Sequence, residues 1–203
     1  MPFTLAHPAA VLPLRRTRLP FDALVVGSMS PDFEYLLRLA PTSVVSHTGL
    51  GLLSFCIPAG LVVLVLARAL WLPALRALWG LVPVRRDPPS VTSALRLALP
   101  TIAAVLLGAL THLAWDAFTH AHAPMVERLP LLSATVLETR WGALRVYKLL
   151  QHGSTLAGLA LLAWVLRREP WWAHARAAAP WRVLAGVALL AAVLATGAGL
   201  ARA

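Results

Sequence analysis

Residues 97–115, LALPTIAAVLLGALTHLAW, run without a single Asp, Glu, Lys or Arg. A bilayer core about 30 Å thick asks one helix for about 20 such residues. Three further windows have the same character: Gly49–Ala67, Leu149–Leu166 and Val183–Ala201. Pro58 and Pro100 fall inside the first two and are read as kinks, not breaks, because neighbouring groups in a membrane bundle can satisfy the freed carbonyls. The bulk composition agrees. A mean hydropathy of +0.74, with 59% hydrophobic and 13% charged residues, supplies more apolar surface than a soluble core of 203 residues would use. The expected fold class is all-α, a polytopic membrane bundle of about four transmembrane helices with an N-terminal helical hairpin.

The hairpin occupies residues 1–47 and the bundle 48–203, together one integral membrane domain. Residues 3–14 and 21–40 are apolar in part, but Arg15, Arg16, Arg18, Asp22, Asp32 and Glu34 interrupt them. So interrupted, neither segment is read as a span, and Asp22 argues against a cleaved signal peptide. The formal charge of +10 is assigned to membrane loops and not to nucleic acid, since no basic stripe interleaved with aromatics occurs. Basic residues divide evenly between the two sides, so orientation, like oligomeric state, is left open. The lone cysteine, Cys56, is a packing thiol inside the first span. The loop 68–96 reads as a flexible connector, and Trp171 and Trp172 as an interfacial belt.

Where the polar groups fall is more specific. On a helix, His112 and Asp116 are one turn apart on a shared face, which His120 extends. Alone, that pair is a weak metal signal. Its neighbours strengthen it: His47 stands just before the first span, His112 and Asp116 close the second, and His152 opens the third. Helices running up, down and up bring these places to one membrane face. Asp32, in SMSPDFEY, is a short segment from His47, and His7 reaches the same region if the hairpin folds back. All of the seven histidines except His174 gather on that side. Ionisable groups at membrane depth are expensive, so the gathering points to function. Histidine and carboxylate without cysteine suit zinc, manganese or iron, and a bound metal brings water to a pKa of about 7. There is no G-x-S-x-G, H-E-x-x-H or P-loop to suggest a rival chemistry.

The segments MPFTLAHPAAVLPLRR, VVGSMSPDFEYLLR, SHTGLG, LLGALTHLAWDAFTH and YKLLQHGS together resemble a bacterial membrane family catalogued only as a domain of unknown function (4184). The order His, P-D, H-[ST], H-x3-D, T-H is more distantly similar to the LexA-regulated, membrane-bound metal-dependent hydrolases. It is also similar to the motif order of zinc-dependent phospholipase C and P1-type nucleases, in His7, Asp32-x14-His47 and His112-x3-Asp116-x5-His122. That last resemblance implies one zinc held by Asp32, His47, His112 and Asp116, with Asp116 bridging to a second ion near His7. Those enzymes add a later H-x3-E. Here His152 is followed by GSTL, so one or two ions are expected and not three.

The expected metal ligands are therefore His7, Asp32, His47, His112, Asp116 and His122, with His120 competing with His122 for metal or substrate. His120 and His152 are the candidate proton donors, and Glu34 the carboxylate that holds a ligand histidine in its tautomer. The expected function is metal-dependent hydrolysis of a phosphoester such as a lipid head group, in the bacterial inner membrane, with the bilayer as partner and no nucleic acid. The alternatives are an ion or small-solute transporter, whose site would sit near the midplane, and a scaffold whose polar cluster only locks helices together.

Overall fold

A computed structural model describes residues 3–40, 42–78, 91–140 and 142–169. It is mostly helical. After a 3-10 turn (Thr4–Ala6) come α1 (Pro8–Val11), α2 (Phe21–Met29), a second tight turn (Ser30–Asp32) and α3 (Phe33–Arg38). Long helices α4 (Gly49–Arg76), α5 (Val91–Asp116) and α8 (Val146–Arg168) follow, with two short helices between the last two, α6 (Pro124–Arg128) and α7 (Pro130–Ser133). Three stretches, Gly49–Arg76, Arg96–Asp116 and Val146–Arg168, are long and apolar enough to cross a membrane. The expected fourth span, Val183–Ala201, lies outside the described residues, as do Trp171 and Trp172 and residues 79–90 of the loop 68–96; the rest of that segment is mostly helical and not a flexible connector.

Two expectations are corrected. The class is not purely helical: β1 (Thr135–Thr139) pairs antiparallel with β2 (Gly142–Arg145), with a register irregularity between Thr135 and Leu137. Gly142 enters the second strand at φ 115°, a left-handed conformation that glycine adopts without steric cost. The first long helix also does not stop at Ala67. Arg68 lies within it, and its guanidinium forks onto Asp22, Nε to Oδ2 at 2.7 Å and an Nη to Oδ1 at 2.9 Å. Burial works against the Asp22 carboxylate, yet Arg68 holds its pKa below the usual range.

The long helices run through their prolines without breaking. α5 runs through Pro100 as one helix. In α4, π-type turns at Leu52–Cys56 and Ala67–Trp71 each come just before a proline, Pro58 and Pro73. The wider turn, with the Ile57 N–H bonded to the Leu52 carbonyl, gives the ring room where an α-turn would clash.

The N-terminal hairpin is wedged into the bundle. Leu24 and Ala23 of α2 are fully buried against Val105, Ala104 and Leu64. This packing rests on two glycines. A Cβ on Gly108 would lie 2.4 Å from the Leu24 carbonyl oxygen and 2.6 Å from the Ser28 nitrogen, and one on Gly27 would lie 2.3 Å from the Val105 carbonyl oxygen. Only without side chains can the two backbones touch, which is how small residues serve helix contacts in membranes. The close crossing brings the C-terminal end of α2, and with it Ser28 and Asp32, to the end of α5 that carries His112 and Asp116.

Candidate metal centre

Four segments supply the donors. His112 and Asp116 lie one turn apart at the end of α5, and Asp32 closes the tight turn after α2. His7 immediately precedes α1. His47 stands one residue before Thr48, whose hydroxyl caps α4 by accepting the Gly51 N–H at 2.9 Å. The cap fixes where α4 starts, and so where His47 leaves the bundle.

The distances have a definite character. From His112 Nε2, Asp32 Oδ1 is 3.4 Å away and Asp116 Oδ2 3.3 Å. From His47 Nε2, Asp116 Oδ2 is 3.6 Å away and Asp32 Oδ1 3.8 Å. Charge-assisted hydrogen bonds close to about 2.7–2.9 Å, so all four pairs are too long to be good ones. They are close to the ligand-to-ligand edges of about 3.3–3.6 Å that follow from metal–ligand bonds of about 2.0–2.2 Å in a four-coordinate site. The donors form two overlapping triads, His7–Asp32–His112 and His47–His112–Asp116, each with its ligand atoms within 4.8 Å of one another. Such groups could hold a metal ion.

The hydrogen-bond accounting agrees. Among the described residues, the buried side-chain atoms without a hydrogen-bond partner are both ring nitrogens of His7, Asp32 Oδ1, His112 Nε2 and Asp116 Oδ1. A buried polar atom left unsatisfied costs about 1–3 kcal/mol, and all five belong to this one cluster. Bound cations would satisfy the two carboxylate oxygens, His112 Nε2 and one nitrogen of His7, though not both nitrogens of that ring.

Supporting contacts aim each donor. His112 Nδ1 lies 2.8 Å from the Ser28 carbonyl oxygen. A carbonyl only accepts, so Nδ1 carries a proton and Nε2 is the nitrogen turned to the two aspartates. Asp32 Oδ2 accepts from the Thr4 hydroxyl at 2.5 Å, leaving Oδ1 for the cluster. Ser46 Oγ is 3.0 Å from His47 Nδ1. His7 stacks on His112, ring centroids 3.7 Å apart. Burial pushes the His7 pKa down to about 4 and the neighbouring His112 ring adds to the shift, so at neutral pH His7 is an uncharged imidazole with a free lone pair.

The expected site residues divide. The structure brings together His7, Asp32, His47, His112 and Asp116. His120 sits at the rim, its Nδ1 3.6 Å from Asp116 Oδ1 and 3.2 Å from the Asp116 carbonyl oxygen. His122 is not brought in: its side chain is 93% exposed and its nearest acid is Glu127, at 4.0 Å. The chain turns out of helical register after Asp116 and carries His122 into solvent. His152 is exposed too, while Gln151 beside it is buried. Glu34 is buried but touches no histidine. Its oxygens accept the backbone N–H groups of Val44 (3.0 Å), Val45 (3.1 Å) and Ser46 (2.7 Å), and Arg38 Nε at 2.6 Å. Burial alone would raise its pKa; these donors from Ser46, Val44 and Arg38 hold it well below the usual carboxylate range. Glu34 therefore ties down the segment that delivers His47 and does not orient an imidazole directly.

Sequence reasoning missed Tyr35 and Thr4. The Tyr35 hydroxyl is 3.5 Å from His47 Nε2, and burial, with Asp32 and Asp116 nearby, pushes its pKa up to about 12. The spacing Asp32-x2-Tyr35 in PDFEY was the available signal, since residues three apart share a helix face.

The fold and the cluster define a membrane-type helical bundle that carries a buried histidine–aspartate centre at one end of its long helices. Over residues 1–201 the chain matches the model of a family described as a domain of unknown function (DUF4184), and it belongs to that family. No curated protein and no solved structure matches it.

Proposed function

We propose that this protein is a multi-pass protein of the bacterial cytoplasmic membrane that hydrolyses a phosphoester using one or two divalent ions, zinc first and manganese or iron next. The observation that carries the reading is the convergence of buried, partnerless nitrogen and oxygen atoms at separations of 3.3–3.8 Å. Asp32, His47, His112 and Asp116 would hold the first ion. The other oxygen of Asp116 faces His7 Nε2 at 3.7 Å, so this carboxylate can bridge to a second. A divalent ion there supplies a water acidified to a pKa of about 7 and neutralises charge on phosphoryl oxygens.

The chain's own groups do the rest. His120, at the half-exposed rim, hands a proton to the leaving oxygen. The Tyr35 phenol keeps its proton at neutral pH and donates a hydrogen bond to the substrate. The position of the donors at helix ends, away from the middle of the spans, favours surface hydrolysis over passage of an ion, whose site would sit near the midplane. The bilayer is the partner this reading requires, and nucleic acid has no place in it.

Metal analysis and a phosphoesterase assay on purified protein test this. Bound transition metal is expected, lost in His112→Ala and Asp116→Ala, with hydrolysis abolished by chelation and restored by zinc. Metal-free wild type, or unchanged content in both variants, refutes the centre. Metal without hydrolysis of any phosphoester refutes the activity.

A further inference from the structure

Beside the donor cluster, a cavity of about 800 Å³ runs between the N-terminal hairpin and α4. That size falls within the range of about 300–1,000 Å³ typical of ligand sites. Its polar side chains collect at one end, where Thr4, Asp32 and Tyr35 line it; Ser54, farther along, already donates to the Leu50 carbonyl oxygen. The remainder is apolar, bounded by Phe33, Ala59, Val62 and Trp71 among others. From Ala59 to Trp71 along α4 is twelve positions, about 18 Å, a little more than one leaflet of a hydrocarbon core about 30 Å thick. Leu36 and Val62 at its edge are 63% and 59% exposed, so the cavity opens sideways, on the flank of a helix long and apolar enough to span.

Water along such a wall gains no hydrogen bonds, whereas a hydrocarbon chain fits it. A chain lying there would place its head group where Asp32 and Tyr35 stand, beside the donors. We propose that this cavity receives the hydrocarbon chain of a lipid phosphate, entering laterally from the bilayer, and thereby sets the substrate class of the centre. The inference rests on the phosphoester reading above. In a bilayer the chain gains little by moving between apolar surroundings, so the cavity acts by position: it holds the phosphorus at the depth of the donors.

The test uses the full chain in lipid nanodiscs and a long-chain alkyl phosphate bearing a mid-chain diazirine, compared with the same chain ending in a hydroxyl. The phosphate probe should label Phe33, Ala59 and Val62 in preference to the alcohol. Ala59→Trp, which overpacks the cavity, should cut that labelling about tenfold. Equal labelling by the alcohol would mean an annular lipid only. Labelling elsewhere, or crosslinks showing the cavity filled by another part of this chain or by a second copy, would likewise overturn the proposal. These results hold whether or not the variant folds, because the wild-type map alone decides them. Cavity labelling without any phosphoester hydrolysis would sink the enzymatic reading and leave the lipid site standing. Hydrolysis of a water-soluble phosphoester without cavity labelling would do the reverse.

Discussion

Gly108→Ala should damage the metal centre from one helical turn away. The added Cβ would sit 2.4 Å from the Leu24 carbonyl oxygen, where ordinary contact begins at 3.4 Å. The atoms it meets are backbone and cannot rotate aside, so α2 and α5 must separate by 3.4 − 2.4 = 1.0 Å. The same displacement would stretch the 2.8 Å bond from His112 Nδ1 to the Ser28 carbonyl beyond hydrogen-bonding range. Overpacking of this kind costs about 1–3 kcal/mol of stability, and loss of a contact that orients a ligand histidine lowers metal affinity about 10–100-fold. Thermal unfolding in detergent, with zinc titrated against a competing chelator, reads both quantities. Gly153→Ala is the control, because a Cβ there meets nothing within 4 Å. Wild-type melting and wild-type zinc affinity in Gly108→Ala would refute the claim that this glycine contact aims His112.

Three other outcomes follow from the geometry. Tyr35→Phe should retain its metal by elemental analysis while turnover falls about a hundredfold. His122→Ala and His152→Ala should leave metal content and unfolding temperature unchanged, to within about 0.5 kcal/mol. Glu34→Gln should lower the unfolding temperature and alter its pH dependence. The native pKa of Glu34 is depressed, so its stabilisation is present above the ordinary carboxylate pKa and fades as pH falls toward the native value. The wild type should lose stability through that acidic window, and a pH-resolved melting series should show a smaller loss in the variant.

The parts of the centre carried by regular helix could be read from the residues. His112 and Asp116 are one turn apart, and the up-down-up order of apolar runs brings His47 to their end. Where helical phase depended on something outside the helix, the reading failed. α8 buries Tyr147, Gln151 and Gly158, positions that share a face, and so turns His152 about 100° away. That phase follows from packing of α8 on the N-terminal segment, where a Cβ on Gly158 would lie 3.1 Å from the Ala6 carbonyl oxygen and 3.2 Å from the Ala6 Cβ, a contact that the apolar run does not announce. Glu34 was recognised as supporting, but its partners are main-chain N–H groups ten to twelve residues on, a contact no side-chain pattern announces. The two glycines were likewise silent, since close approach is a property of the pair of helices and not of either sequence.

Helix α2 is pinned at both extremities, by the Arg68 fork on Asp22 at its start and by His112 on Ser28 near its finish. A nine-residue strut so fastened cannot slide along its neighbour without giving up an ion pair and a buried hydrogen bond in the same movement. Under the proposed hydrolysis, admission and release of a reactant would fall to the rim, and the donors would keep their separations. Charge developing on a reactant would meet a cage already set to receive it, with no reorganisation to delay the step.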